Sequence, residues 1–110
     1  MYKRQGDWQI QHRIPVGLRS NGVKVKHDGS HVYISNGGDH NLSVIETATN
    51  TVIKTIPVGQ RPWNMALTPD GKKLYVANGR SNNISVIDTT TNQVIQTVSV
   101  GKMPWGVVIR

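Results

Sequence analysis

Acid–base, anion-binding and stacking chemistry all have candidate side chains in this sequence, crowded into a few short stretches. Asp39-His40 is a carboxylate–imidazole pair. Such a pair can exchange a proton with a substrate when a further group orients it. Arg19, Arg61, Arg80 and Lys102 are cations, and Trp63 and Trp105 follow a proline in Gln60-Arg61-Pro62-Trp63 and Lys102-Met103-Pro104-Trp105. A basic rim with two indoles can hold a carboxylate, phosphate or sugar through charge-assisted hydrogen bonds and stacking.

Other chemistries lack their residues. There is no Cys, which removes disulfides, zinc–thiolate sites, thiol catalysis and C-x-x-C-H haem attachment. The four His, at 12, 27, 31 and 40, do not fall at metal-ligand spacing with carboxylates on one element. No G-x-S-x-G, P-loop or dinucleotide fingerprint is present. Asp39-His40 has neither a nucleophile motif nor an orienting partner beside it. The sequence therefore assigns no catalytic residue, no metal and no cofactor.

The elements that must position these side chains come from a repeat. Residues 18–59 align without a gap on 60–101, a 42-residue period with 18 identical positions. Periods of this size decide the architecture. Within each copy, Asp28-Gly29 and Asp70-Gly71 separate an apolar strand (NGVKVK or WNMALT) from HVYIS or KLYVA. D-G between alternating strands is a strong hairpin signal. Asn36-Gly37 and Asn78-Gly79 punctuate the next turn, leading to LSVIE and ISVID, and the tracts TATN and TTTN lead to TVIKTIPV and QVIQTVSV. No segment carries a 3.6-residue period. The reading is all-β: four-stranded antiparallel meanders that are β-propeller blades, since one blade must cover its neighbour's apolar face.

The 110 residues hold about 2.6 such units. Residues 1–17 are expected to carry the last strand of a preceding blade, because QIQHRIPV at 9–16 matches 51–58 and 93–100. Blades follow at 18–59 and 60–101, and 102–110 begins another with WGVVIR. Together, the terminal pieces of two chains supply only half a blade. Open blade faces in so short an array lead to an expectation of a homo-oligomer formed through them, or of a natural context in which more blades are present.

The combined segments YVAN, SVIDTTTNQVIQTVSVG and VGQRPW…LTPDGKKLYV closely resemble the repeats of YVTN-type β-propellers, over about residues 9–110. That family resemblance extends to surface-layer proteins, lactonase-like propellers and propeller subunits associated with amine dehydrogenases or haem enzymes. It implies a propeller scaffold and an extracellular, cell-surface or periplasmic setting, and it implies no single activity. The leading expectation is a non-catalytic scaffold and binding surface. The alternatives are a fragment of a lactonase-like or dehydrogenase-associated propeller with a basic rim site, and an engineered or reconstructed propeller fragment, which the ungapped register also fits.

In a meander blade, the link to the next blade and the turn between the second and third strands lie on one side of the ring. This places Arg19, Arg61, Trp63, Arg80, Lys102, Trp105 and His40 on a common rim as ligand-binding candidates for an anionic small molecule or a glycan. Trp63 and Trp105 recur at one repeat position, which argues for packing between blades. Asp39-His40 and Arg80 depart from the other copy, which argues for function. The net charge of +7 favours anionic partners, but the charges are scattered and accompany no aromatic–basic module, so nucleic acid is not expected. Nor is a membrane span, since no apolar run approaches 18 residues. Lys24 and Lys26 charge one side of the first strand, as an edge guard or a basic channel lining. Asn41-Leu42-Ser43 and Asn83-Ile84-Ser85 fit a glycosylation triplet, but as one repeat position seen twice they read as turn caps.

Overall fold

A computed structural model of the chain describes residues 14–100, the side chain of Asn21 excepted. Eight strands fall in two sheets. The first blade is β1 (Ser20–Val25), β2 (His31–Asn36), β3 (Asn41–Glu46) and β4 (Thr51–Pro57). The second is β5 (Pro62–Leu67), β6 (Lys73–Asn78), β7 (Asn83–Asp88) and β8 (Gln93–Ser99). Each is an antiparallel meander with its strands in chain order. The expected strand at 9–16 is described only over 14–16, which are not in a strand; the strand expected in 102–110 lies outside the described residues.

The turns explain why the strands end where they do. Gly29 and Gly71 adopt φ of 74° and 72°, a left-handed conformation that costs glycine nothing. The Asp before each ties the loop: Asp28 Oδ1 accepts from Ser30 N (2.9 Å) and Ser30 Oγ (2.7 Å), and Asp70 Oδ1 from Lys72 N (2.9 Å) and Thr68 Oγ1 (2.6 Å). These side-chain and backbone bonds hold both carboxyls below the usual aspartate value. In the turns that follow Asn36-Gly37 and Asn78-Gly79, the left-handed residues are His40 and Asn82 rather than the glycines.

A buried asparagine anchors each blade. Asn36 Nδ2 donates to Asn41 Oδ1 and Ser43 Oγ, both at 2.9 Å, and Asn78 repeats this with Asn83 Oδ1 (2.9 Å) and Ser85 Oγ (2.8 Å). The glycosylation-like triplets thus supply acceptors to a buried amide. Asn36 Oδ1 also accepts from Ser20 Oγ at 3.1 Å, whereas buried Asn78 Oδ1 has no partner. Pro62 occupies the repeat position of Ser20 and brings no hydroxyl. Pro62→Ser is expected to raise stability by about 1 kcal/mol in urea unfolding. Relief of a buried orphan acceptor is worth roughly 1–3 kcal/mol, which exceeds the roughly 0.4–1 kcal/mol a proline contributes through the unfolded chain. No change in midpoint would contradict this.

The core is the seam between the blades. Tyr33, Leu42, Val44 and Ile56 of the first blade pack on Met65, Leu67, Leu74, Val76 and Ile87 of the second. Polar bonds cross it: Ser35 Oγ donates to Trp63 O (3.1 Å), Tyr33 Oη to Asn92 Oδ1 (3.2 Å) and Lys54 Nζ to Thr91 O (3.3 Å). At Gly22 a Cβ would lie 2.7 Å from Trp63 O, so β1 approaches β5 closely only without a side chain there. Lys24 pairs with Tyr33 and so shares the face turned to the second blade, while Val23 and Val25 pair with Ile34 and Val32 on the opposite face. Lys24 does sit on an edge strand, but the side it occupies is the covered one; Lys26 follows the end of β1.

The two outer faces are exposed along their edge strands and buried nearer their centres, where Ile45, Ala77 and Val86 are 7%, 0% and 3% exposed. Val23 and Val25 are 65% and 51% exposed, against 3% and 9% for their repeat equivalents Met65 and Leu67. On the other end, Val98 is 39% exposed against 2% for Ile56.

Candidate functional site

The rim is built from backbone bonds that repeat. Gly37 N and Gly38 N donate to Arg19 O (2.9 Å) and Leu18 O (3.0 Å), and Gly79 N and Arg80 N donate to Arg61 O (3.0 Å) and Gln60 O (3.1 Å). Each inter-blade link is thereby zipped to the turn between the second and third strands of its blade. Leu18 N donates to Asp39 Oδ2 at 2.8 Å, and the equivalent Gln60 N to Ser81 Oγ at 2.6 Å.

This zipper forces side chains into an unusual backbone. Arg19, His40 and Arg61 have φ of 51°, 57° and 54°. Left-handed conformation costs a residue with a Cβ roughly 1–2 kcal/mol, and it persists only where surrounding bonds determine it. The second blade reaches back to the first here, as Arg61 N donates to His40 Nδ1 at 3.1 Å. With Nδ1 an acceptor, the neutral imidazole carries its proton on Nε2.

Between the blades the rim encloses an open cavity of about 450 Å³, to which Arg19, His40, Gln60, Arg61 and Arg80 contribute along with Leu18 and the glycines at 37 and 38. Four of the sequence candidates therefore meet in one place, drawn from both blades. Trp63 does not line this cavity; it is 39% exposed, and its carbonyl accepts the bond from Ser35 Oγ. Lys102 and Trp105 lie outside the described residues. Gln60 was not a sequence candidate, since an uncharged amide gives no signal beyond differing from its equivalent Leu18.

Asp39 and His40 do not act on one another. The carboxylate holds the Leu18 amide and the imidazole holds the Arg61 amide, so both serve the local architecture. Among the described residues, no three His, Asp or Glu side chains gather as a metal site, and no helix is long and apolar enough to cross a membrane.

A family model described as a YNCE-like beta-propeller matches residues 14–109. Among solved structures, the chain is similar to Kuenenia stuttgartiensis hydrazine synthase, with a TM-score of 0.78 and 33% identity over 90% of this chain and 29% of that one. It is also similar to apo AztD of Citrobacter koseri, with a TM-score of 0.73 and 20% identity over 84% of this chain and 27% of that one. The WD40 repeats of RRP9 align with a TM-score of 0.73 and 19% identity over 81% of this chain and 28% of that one. The last two share the fold alone. The chain spans less than a third of the length of each of these structures. No curated protein gives a significant match.

Proposed function

Because the chain belongs to the YNCE-like β-propeller family, we propose that it acts as a non-catalytic propeller module that assembles through its open blade faces and offers its rim as a binding surface. The observation that carries this reading is the inequality of repeat positions. Met65 and Leu67 are covered at the seam, and Ile56 is covered across from them, while Val23, Val25 and Val98 occupy the same positions on the two outer faces and are bare.

The seam is a template for what covers those faces. The Tyr33 face of the first blade docks on the Leu74 face of the second. The chain presents a second copy of each: a Tyr75–Val98 face on the second blade and a Val23–Val32 face on the first. The partner of stated chemistry is thus another copy of this chain, joined head to tail. Such a heterologous contact closes into a ring when its rotation permits.

Light scattering on the purified chain at micromolar concentration tests the reading. The expected native mass is a multiple of 12.2 kDa, two or greater. A folded monomer would overturn the assembly reading.

A further inference from the structure

We infer that the rim cavity is a site for a small oxyanion ligand carrying two or more negative groups, of the polycarboxylate type. The inference deepens the rim-binding part of the proposed function and is independent of self-association.

The chemistry of the lining carries it. Three arginines, Arg19 of the first blade and Arg61 and Arg80 of the second, border one cavity, and no carboxylate-bearing residue lines it among the described residues. The nearest acidic neighbour in sequence, Asp39, spends an oxygen on the Leu18 amide. The His40 imidazole, tied at Nδ1 by the Arg61 amide, offers Nε2–H as a donor. Main-chain carbonyls of Leu18, Arg19, Gln60 and Arg61 already accept from the opposing turn. Apart from the Gln60 amide, the side-chain hydrogen-bonding capacity left at the cavity is donor capacity.

A ligand that satisfies such a lining supplies acceptors and negative charge. A neutral sugar brings as many hydroxyl donors as acceptors and prefers a stacking face, and among the described residues neither tryptophan nor tyrosine lines the cavity. One carboxylate engages one guanidinium in a bidentate fork. Three arginines drawn from two blades need more than one such group, and about 450 Å³ lies within the range of small-molecule sites.

Isothermal titration calorimetry at low ionic strength, with citrate, acetate and glucose as probes, tests the inference. Citrate is expected to bind at least tenfold more tightly than acetate, with no heat from glucose. Arg80→Ala removes one guanidinium at a residue with ordinary backbone. Arg61→Gly removes another and relieves the backbone, so weakened binding there cannot be assigned to misfolding if its thermal midpoint is unchanged or raised. Each is expected to weaken citrate binding tenfold or more. Lys72→Ala deletes the same charge from an exposed hairpin and is expected to change binding less than twofold. Equal losses in Arg80→Ala and Lys72→Ala would reduce the effect to diffuse charge and overturn the inference, as would absence of citrate binding or competition by glucose. The native mass is read separately, so either claim can fail alone.

Discussion

Tyr33→Ala is expected to lower stability by roughly 3–5 kcal/mol in urea unfolding at concentrations where the chain is monomeric, while Tyr75→Ala costs only about 1 kcal/mol. The two tyrosines occupy one repeat position and differ in what covers them. Tyr33 is 1% exposed in the seam and donates to Asn92 Oδ1 across it; Tyr75 lies half-buried on an open face. Truncating Tyr33 opens a cavity between the blades and leaves the Asn92 oxygen unpaired, whereas truncating Tyr75 removes area that water already wets. Equal costs would contradict the seam as the core of the chain.

The same residue sets an alkaline limit. Burial, and secondarily the charge of Asp28, pushes the Tyr33 phenol above the ordinary tyrosine value. A folded value raised above the unfolded one gives stability that is complete below about pH 10 and is lost as pH rises through the folded value. Tyr33→Phe is expected to remove that alkaline loss while retaining most of the packing.

Val23→Asp and Val98→Asp are each expected to abolish assembly while leaving the monomer folded. At these exposures, 65% and 39%, an aspartate in the monomer keeps its water, and the change in monomer stability is expected within about 0.5 kcal/mol. In an assembly built on the seam, each position takes the place of Met65 or Ile56, 3% and 2% exposed. Burying an unpaired carboxylate there costs roughly 3–5 kcal/mol, a loss of about 100-fold or more in affinity.

The strands and turns were legible in the sequence because their signals are local. Asp28-Gly29 and Asp70-Gly71 announce the hairpins, and period-2 alternation in HVYIS and KLYVA marks the strands. The rim was legible because the meander topology alone puts links and turns on one side, and Arg19, His40, Arg61 and Arg80 all lie in those links and turns. Which face of each blade is covered was not legible, since both faces of β2 and β6 are apolar and only the order of the blades decides. Val23 and Val25 form the apolar side of β1, yet it is Lys24 that shares the seam face with Tyr33. Gly22 was the missed signal: it stands opposite Asn64 in the repeat and marks where two blades touch. The backbone of Arg19 and Arg61 was also hidden, because arginine has no left-handed preference and the twist comes from hydrogen bonds between link and turn.

The most direct measurement is the native mass of Val23→Asp, Val98→Asp and their equimolar mixture, taken by light scattering at one micromolar concentration. Val23→Asp keeps the Tyr75–Val98 face and Val98→Asp keeps the Val23–Val32 face, so each alone lacks one half of the contact. The account predicts monomers for each variant and a 1:1 heterodimer, twice the 12.2 kDa chain mass, for the mixture. Single variants that assemble as the wild type does, or a mixture that stays monomeric, would contradict it.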